Sequence, residues 1–90
     1  MAIVELTREQ QIDLLETADL DRLVEVYRPL AESVASRYAQ GGDVAVLAES
    51  VLRSSLVRAK ASYRARAPDY RFDTYLTYYF VKAVERRLED

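Results

Sequence analysis

DTYLTYYFVKAVERRLED, residues 73–90, reads as a single amphipathic helix. Its apolar positions, Tyr75, Leu76, Tyr79, Phe80, Ala83, Val84 and Leu88, recur at intervals of three and four and make one stripe. Asp73 or Thr74 is placed to open it, by accepting from the free N–H groups of the first turn. Upstream, Pro68-Asp69 marks a loop over about residues 64–71. Before that loop, Val44, Leu47, Val51, Leu52, Leu56, Val57 and Tyr63 form another helical stripe, with Asp43 as its cap. Gly41-Gly42 ends the element before it. That element starts at a cap on Asp19 or Asp21 and runs through Leu23, Val26, Tyr27, Leu30, Val34 and Tyr38. Pro29 lies inside it and is expected to kink or split the helix, because proline lacks the N–H of an interior hydrogen bond. The first helix follows a capping box, Thr7-Arg8-Glu9-Gln10, carries Ile12, Leu14 and Leu15, and ends near Ala18. Short connections favour antiparallel neighbours. The expected fold is all-α, a small antiparallel bundle of about four helices forming one domain over residues 1–90.

Composition narrows the chemistry. Two glycines and two prolines leave little turn material for a many-stranded sheet. The absence of cysteine and histidine removes thiol chemistry, disulfides, imidazole catalysis and the common zinc ligands together. Catalysis would need paired carboxylates or an activated lysine, and the only lysines are Lys60 and Lys82. Glu85, Glu89 and Asp90 near Lys82 read more simply as a charged helix end. The expectation is a protein that is not an enzyme and holds no cofactor or metal. No apolar run approaches the roughly 20 residues that span a bilayer, and the N-terminus lacks a basic stretch followed by an apolar one. A soluble, cytoplasmic protein with no membrane partner is expected.

Charge is divided along the chain. Residues 1–52 carry four arginines against ten carboxylates, a net of −6, whereas residues 53–87 carry nine bases against three acids, a net of +6. Such a chain can present a basic face to a polyanion despite its overall −2. Equally, the two halves can pair with each other inside the fold.

Four of the seven tyrosines, Tyr70, Tyr75, Tyr78 and Tyr79, fall within ten residues, among Arg64, Arg66, Arg71, Lys82, Arg86 and Arg87. Aromatic faces among cations suit single-stranded nucleic acid, since unstacked bases need a flat π surface and phosphates need positive charge. The alternative is a set of core tyrosines whose hydroxyls reach the surface. Tyr78 and Tyr79 are adjacent, so they cannot both point the same way on a helix.

Phe72 to Leu88 (FDTYLTYYFVKAVERRL) resembles the segment of bacterial sigma factors of the sigma-70 family that melts and reads the −10 promoter element. The family pattern there is Phe, Ser or Thr, Thr, Tyr, Ala, Thr, two aromatics, then a helix with a basic and polar face. Upstream, LVEVYRPLAESVASRYAQGG is similar to region 2.1 of the same family. The spacing from Tyr38 to Leu56 matches without a gap, and one extra residue is needed between Leu56 and Tyr75. The resemblance covers about residues 20–90 and implies a sigma region 2-like fold.

Carried over position by position, the resemblance implies the following roles. Tyr75 matches the aromatic that stacks on the flipped-out adenine of the −10 element. Tyr78 and Tyr79 match the pair that wedges against the upstream edge of the bubble. Arg71 matches a base near the non-template strand, Lys82 stands where a glutamine faces the −12 base pair, and Arg86 is a phosphate-reaching base. Tyr70 and Thr74 complete the implied DNA-binding set. The family docks on RNA polymerase through an acidic motif in region 2.2. Here that register reads Val46-Leu47-Ala48-Glu49-Ser50-Val51-Leu52, with Glu49 and then Arg53 as the charged candidates.

The helix-turn-helix that reads the −35 element does not follow within these residues, so a region 4-type partner is implied for that task. The partners expected are RNA polymerase core, promoter DNA and a region 4-type or anti-sigma protein. Two other readings stay open at this point. One is a sigma-like interaction module or decoy that binds an anti-sigma or region 4-like protein without DNA. The other is an unrelated helical bundle with core tyrosines.

Overall fold

The computed structural model describes residues 5–38, 44–63 and 71–89. The Gly41-Gly42 stop, the Asp43 cap, the Pro68-Asp69 loop and Tyr70 lie outside these residues. The described chain forms four helices, α1 (Arg8–Thr17), α2 (Leu20–Ala35), α3 (Val44–Tyr63) and α4 (Phe72–Glu89). They pack into a globule of 37 × 24 × 23 Å, a small all-α bundle as expected.

Local chemistry sets the helix starts. At α1 the Thr7 hydroxyl accepts from Gln10 N–H at 3.1 Å, and the Gln10 side chain accepts from Thr7 N–H at 2.8 Å. This reciprocal pair satisfies two donors that the first turn would otherwise leave free. Asp19 caps α2 by accepting from Arg22 N–H at 2.9 Å. Of the kink or split expected at Pro29, the split does not occur: α2 runs as one helix through it. Pro29 is exposed, while Tyr27, Ala31, Val34 and Ala35 on the opposite side are buried. The hydrogen bond lost at Pro29 therefore falls on the solvent side, and burial on the core side carries the helix across it. The helix then tightens into a turn, with Arg37 N–H on Val34 O and Tyr38 N–H on Ala35 O.

α4 begins at Phe72, earlier than the Asp73 or Thr74 opening expected from sequence. Its first i→i−4 bond runs from Tyr75 N–H to Arg71 O at 3.1 Å. Phe72 is fully buried and packs edge-on against Tyr27 and Tyr63, with ring centroids 5.4 and 5.2 Å away. Such edge-to-face pairs add to the roughly 1.5–3 kcal/mol that burial of a large apolar side chain contributes. From Phe72, the buried residues of α4 recur every fourth position at Leu76, Phe80 and Val84. They meet Leu23 and Tyr27 of α2 and Leu52, Leu56 and Ala59 of α3 in one core. Val57, expected in the α3 stripe, is instead 54% exposed, because Ala48, Ser55 and Ala59 take the buried positions.

α2 and α3 are antiparallel, since Asp21 pairs with Arg53 and the later Arg28 with the earlier Glu49. α3 and α4 are antiparallel too, because Ser62 late in α3 meets Tyr75 and Tyr79 in the first half of α4. α1 is tied in through Gln11, which is fully buried. Its Oε1 accepts from the Tyr27 hydroxyl and from Asp73 N–H, both at 2.9 Å, and its Nε2 donates to Leu6 O at 3.2 Å. One amide thus joins α1, α2 and the start of α4. Among the described residues, no helix is long and apolar enough to cross a membrane.

Candidate nucleic-acid interface

The side of α4 turned toward α3 gathers Tyr75, Tyr78, Tyr79, Lys82 and Arg86. Helical geometry explains the grouping, since positions 75, 78, 79, 82 and 86 differ by threes and fours. Within the group the tyrosines differ. Tyr75 and Tyr79 are half-buried, and both hydroxyls meet the Ser62 hydroxyl of α3, at 2.6 and 3.0 Å. Their hydroxyls lie 3.3 Å apart and their rings stack edge-on with centroids 5.2 Å apart. These two tyrosines therefore hold α4 against α3 as well as lining the surface. Tyr78 projects outward, 57% exposed, with its ring 6.0 Å from that of Tyr79. The ammonium of Lys82, one turn later, sits 4.9 Å from the centre of the Tyr78 ring, a cation–π contact.

The other expected site residues separate. Thr74 is exposed at the start of α4, its N–H held by the Asp73 carboxylate at 2.8 Å. Arg71 clamps the fold: its guanidinium grips Asp73 through two bonds of 3.1 Å and donates to Leu6 O at 2.6 Å. The hydrogen bond from Asp73 favours the charged form and pushes the arginine's pKa up. Glu49 and Arg53 face α2, where Glu49 meets Arg28 at 3.1 Å and Arg53 meets Asp21 at 2.8 Å. Tyr70 lies outside the described residues. The core tyrosines are Tyr27 and Tyr63, both buried. Burial raises the pKa of each, and at Tyr27 the Asp73 carboxylate adds to the effect.

Beside the tyrosines, a groove of about 400 Å³ runs between α3 and α4. Its cations are Arg58 from α3 and Lys82, Arg86 and Arg87 from α4, and among the described residues no carboxylate lines it. Among the described residues none of these four forms an ion pair, whereas Arg8, Arg22, Arg28, Arg53 and Arg71 all do. Sequence reasoning missed Arg58 and Ser62, and noted Arg87 as a cation near the tyrosines without assigning it to the site. A signal for the α3 side was present, because Ser50, Ser54, Arg58 and Ser62 repeat every four residues as a polar stripe along one helix face.

The arrangement presents an exposed aromatic ring, a cation over that ring and an adjoining basic groove. It contains no nucleophile–base pair in hydrogen-bond contact. Comparison of the chain with protein-family models, with curated proteins and with solved structures found no match, so the site's own geometry carries the functional reading.

Proposed function

We propose that this chain is a sigma region 2-like transcription factor whose α4 surface contacts the melted −10 strand of a promoter. RNA polymerase is its partner in this reading, and a separate region 4-type protein supplies −35 recognition. The observation that carries it is the exposed Tyr78 ring with Lys82 against it, alongside Tyr75 and Tyr79. An extruded base needs an aromatic surface to offset the few kcal/mol of lost stacking, and its phosphate needs a nearby cation. The resemblance of residues 72–88 to the −10-reading segment assigns the same positions to that task.

The test is anisotropy of a labelled single-stranded −10-type oligonucleotide against the whole chain. Y78A is the diagnostic variant, because Tyr78 is exposed and its loss leaves the Ser62–Tyr75–Tyr79 contact intact. It is expected to lose about 1–3 kcal/mol of binding, the worth of one stacked base. Unchanged affinity in Y78A would remove the stacking model. Co-purification with RNA polymerase tests the partner.

A second reading, an interaction module for an anti-sigma or region 4-like protein, draws on a different feature. An apolar groove of about 520 Å³ lies between α1 and α3, with Ile12, Leu15, Leu56 and the exposed Val57 along it. The pairing of Glu49 with Arg28 also leaves the region 2.2-like stretch without an acid unengaged by the fold. Recovery of such a protein partner, together with no affinity for the oligonucleotide, would favour this second reading.

A further inference from the structure

Among the described residues no carboxylate faces the four cations of the groove, and such a basic cleft favours an anionic ligand. The groove that holds them is contributed by two helices. α3 brings Arg58 and the small side chains Ser50 and Ser54, and α4 brings Ala83 with Lys82, Arg86 and Arg87. The small residues keep the cleft between the helices open. Ser50 and Ser54 rest their hydroxyl protons on carbonyls of α3, those of Leu47 and Val51, each at 3.1 Å. Hydroxyls rotate readily and can donate to an anion instead. Glu85 does not line the groove.

The groove is continuous with the aromatic edge. Tyr79 lines it and touches Tyr78 ring to ring. From Tyr78 to Arg87 the helix rises about 13 Å, a span that a single mononucleotide does not cover but a short strand does. We infer that the α3–α4 groove is a phosphate track for a single-stranded nucleic acid, with Arg58 and Arg87 gripping the backbone of the strand whose base stacks on Tyr78. The inference rests on the reading of Tyr78 as a stacking surface, and adds α3 as the second half of the site. It also states a division of labour: Tyr78 supplies base contact that is insensitive to salt, and the groove supplies salt-sensitive affinity.

Anisotropy with a labelled oligothymidylate of about twelve nucleotides, titrated over a range of NaCl, separates these parts. The chains compared are wild type, R58Q/R87Q and Y78A, with thymidine monophosphate as a competitor. R58Q/R87Q is expected to weaken binding at least tenfold at low salt. Its plot of log affinity against log salt should flatten by about 1.4, since each lost phosphate contact on a single strand removes about 0.7. Y78A should weaken binding without changing that slope, and the monophosphate should compete poorly. If wild type binds and Y78A weakens binding while R58Q/R87Q matches wild type, the groove proposal falls and the stacking reading stands. If R58Q/R87Q alone loses affinity, the groove stands and the stacking reading falls. No binding by wild type at low salt overturns both. Circular dichroism checks the fold of each variant, and single R58Q and R87Q chains carry the test if the double variant unfolds.

Discussion

On the side of α3 that faces α2, Glu49 meets Arg28 at 3.1 Å and Arg53 meets Asp21 at 2.8 Å. On the side that faces α4, Arg58 shares a groove with Lys82, Arg86 and Arg87, and among the described residues no carboxylate lines it. One helix thus has a neutralised flank and a cationic one. Among the described residues one ion pair, Asp21 with Arg53, joins the acidic N-terminal half to the basic half, while Arg28 and Glu49 both belong to the acidic half. The formal charge of −2 for the chain therefore says little about what approaches it. Where opposite charges meet inside the fold, the ions are exposed and contribute little stability. Where like charges collect, the fold carries a repulsion, which the proposed strand would relieve.

The strongest way to break this contrast is to remove the frame that orients α4. Q11A leaves the buried Tyr27 hydroxyl and the Asp73 N–H without their shared acceptor. A loss of about 2–5 kcal/mol in urea unfolding is expected, large for a domain of this size. Alkaline pH attacks the same frame. Tyr27 and Tyr63 have pKa values raised above the ordinary 10.0, chiefly by burial, so the folded state favours the neutral phenols. Their contribution is fully present below pH 10 and is lost as pH climbs from there through the raised values. Absorbance at 295 nm should show these two phenols ionising together with the loss of helical circular dichroism.

R58E sharpens the contrast by placing a carboxylate among Lys82, Arg86 and Arg87, making the α4-facing flank resemble the α2-facing one. Stability should hold or rise by up to about 1 kcal/mol, the scale of a surface ion pair. Affinity for single-stranded DNA should fall tenfold or more, about 1.4 kcal/mol, by anisotropy. The smallest effect belongs to the neutralised flank. E49Q and D21N should each change stability by less than about 1 kcal/mol and leave oligonucleotide affinity unchanged. A large binding defect in either would contradict the division of α3 into two flanks.

Much of the fold was legible from local rules. The Thr7–Gln10 box, the Asp19 cap and the periodicity of α4 all act over a few residues, and the structure bears each of them out. Phe72 was missed as the first core residue of α4 because helix-start rules favour the polar residues just after it. At Pro29 the split of α2 does not occur, because burial on the other face outweighs one lost solvent-side bond.

The candidate site was legible by type more than by role. Spacing places Tyr75, Tyr78, Tyr79, Lys82 and Arg86 near one another on α4. It does not say which ring lies against α3 and which reaches solvent. That depends on Ser62, a neighbour only across the helix pair. Arg71 illustrates the same limit: as one of several arginines among tyrosines it suggests a ligand contact, yet Leu6 and Asp73 engage it within the fold.

The sequence by itself determined four helices, the caps of α1 and α2 and a C-terminal helix rich in tyrosine and base, because hydrogen-bond capping and side-chain period operate within a turn or two. Only the tertiary structure decided which of the described charges pair within the fold and which do not. Gln11 meets Asp73 across 62 positions and Arg71 meets Leu6 across 65, while Arg58 faces α4 from a different helix. Such pairings depend on how amphipathic faces are shared among neighbours, and no local pattern encodes that sharing.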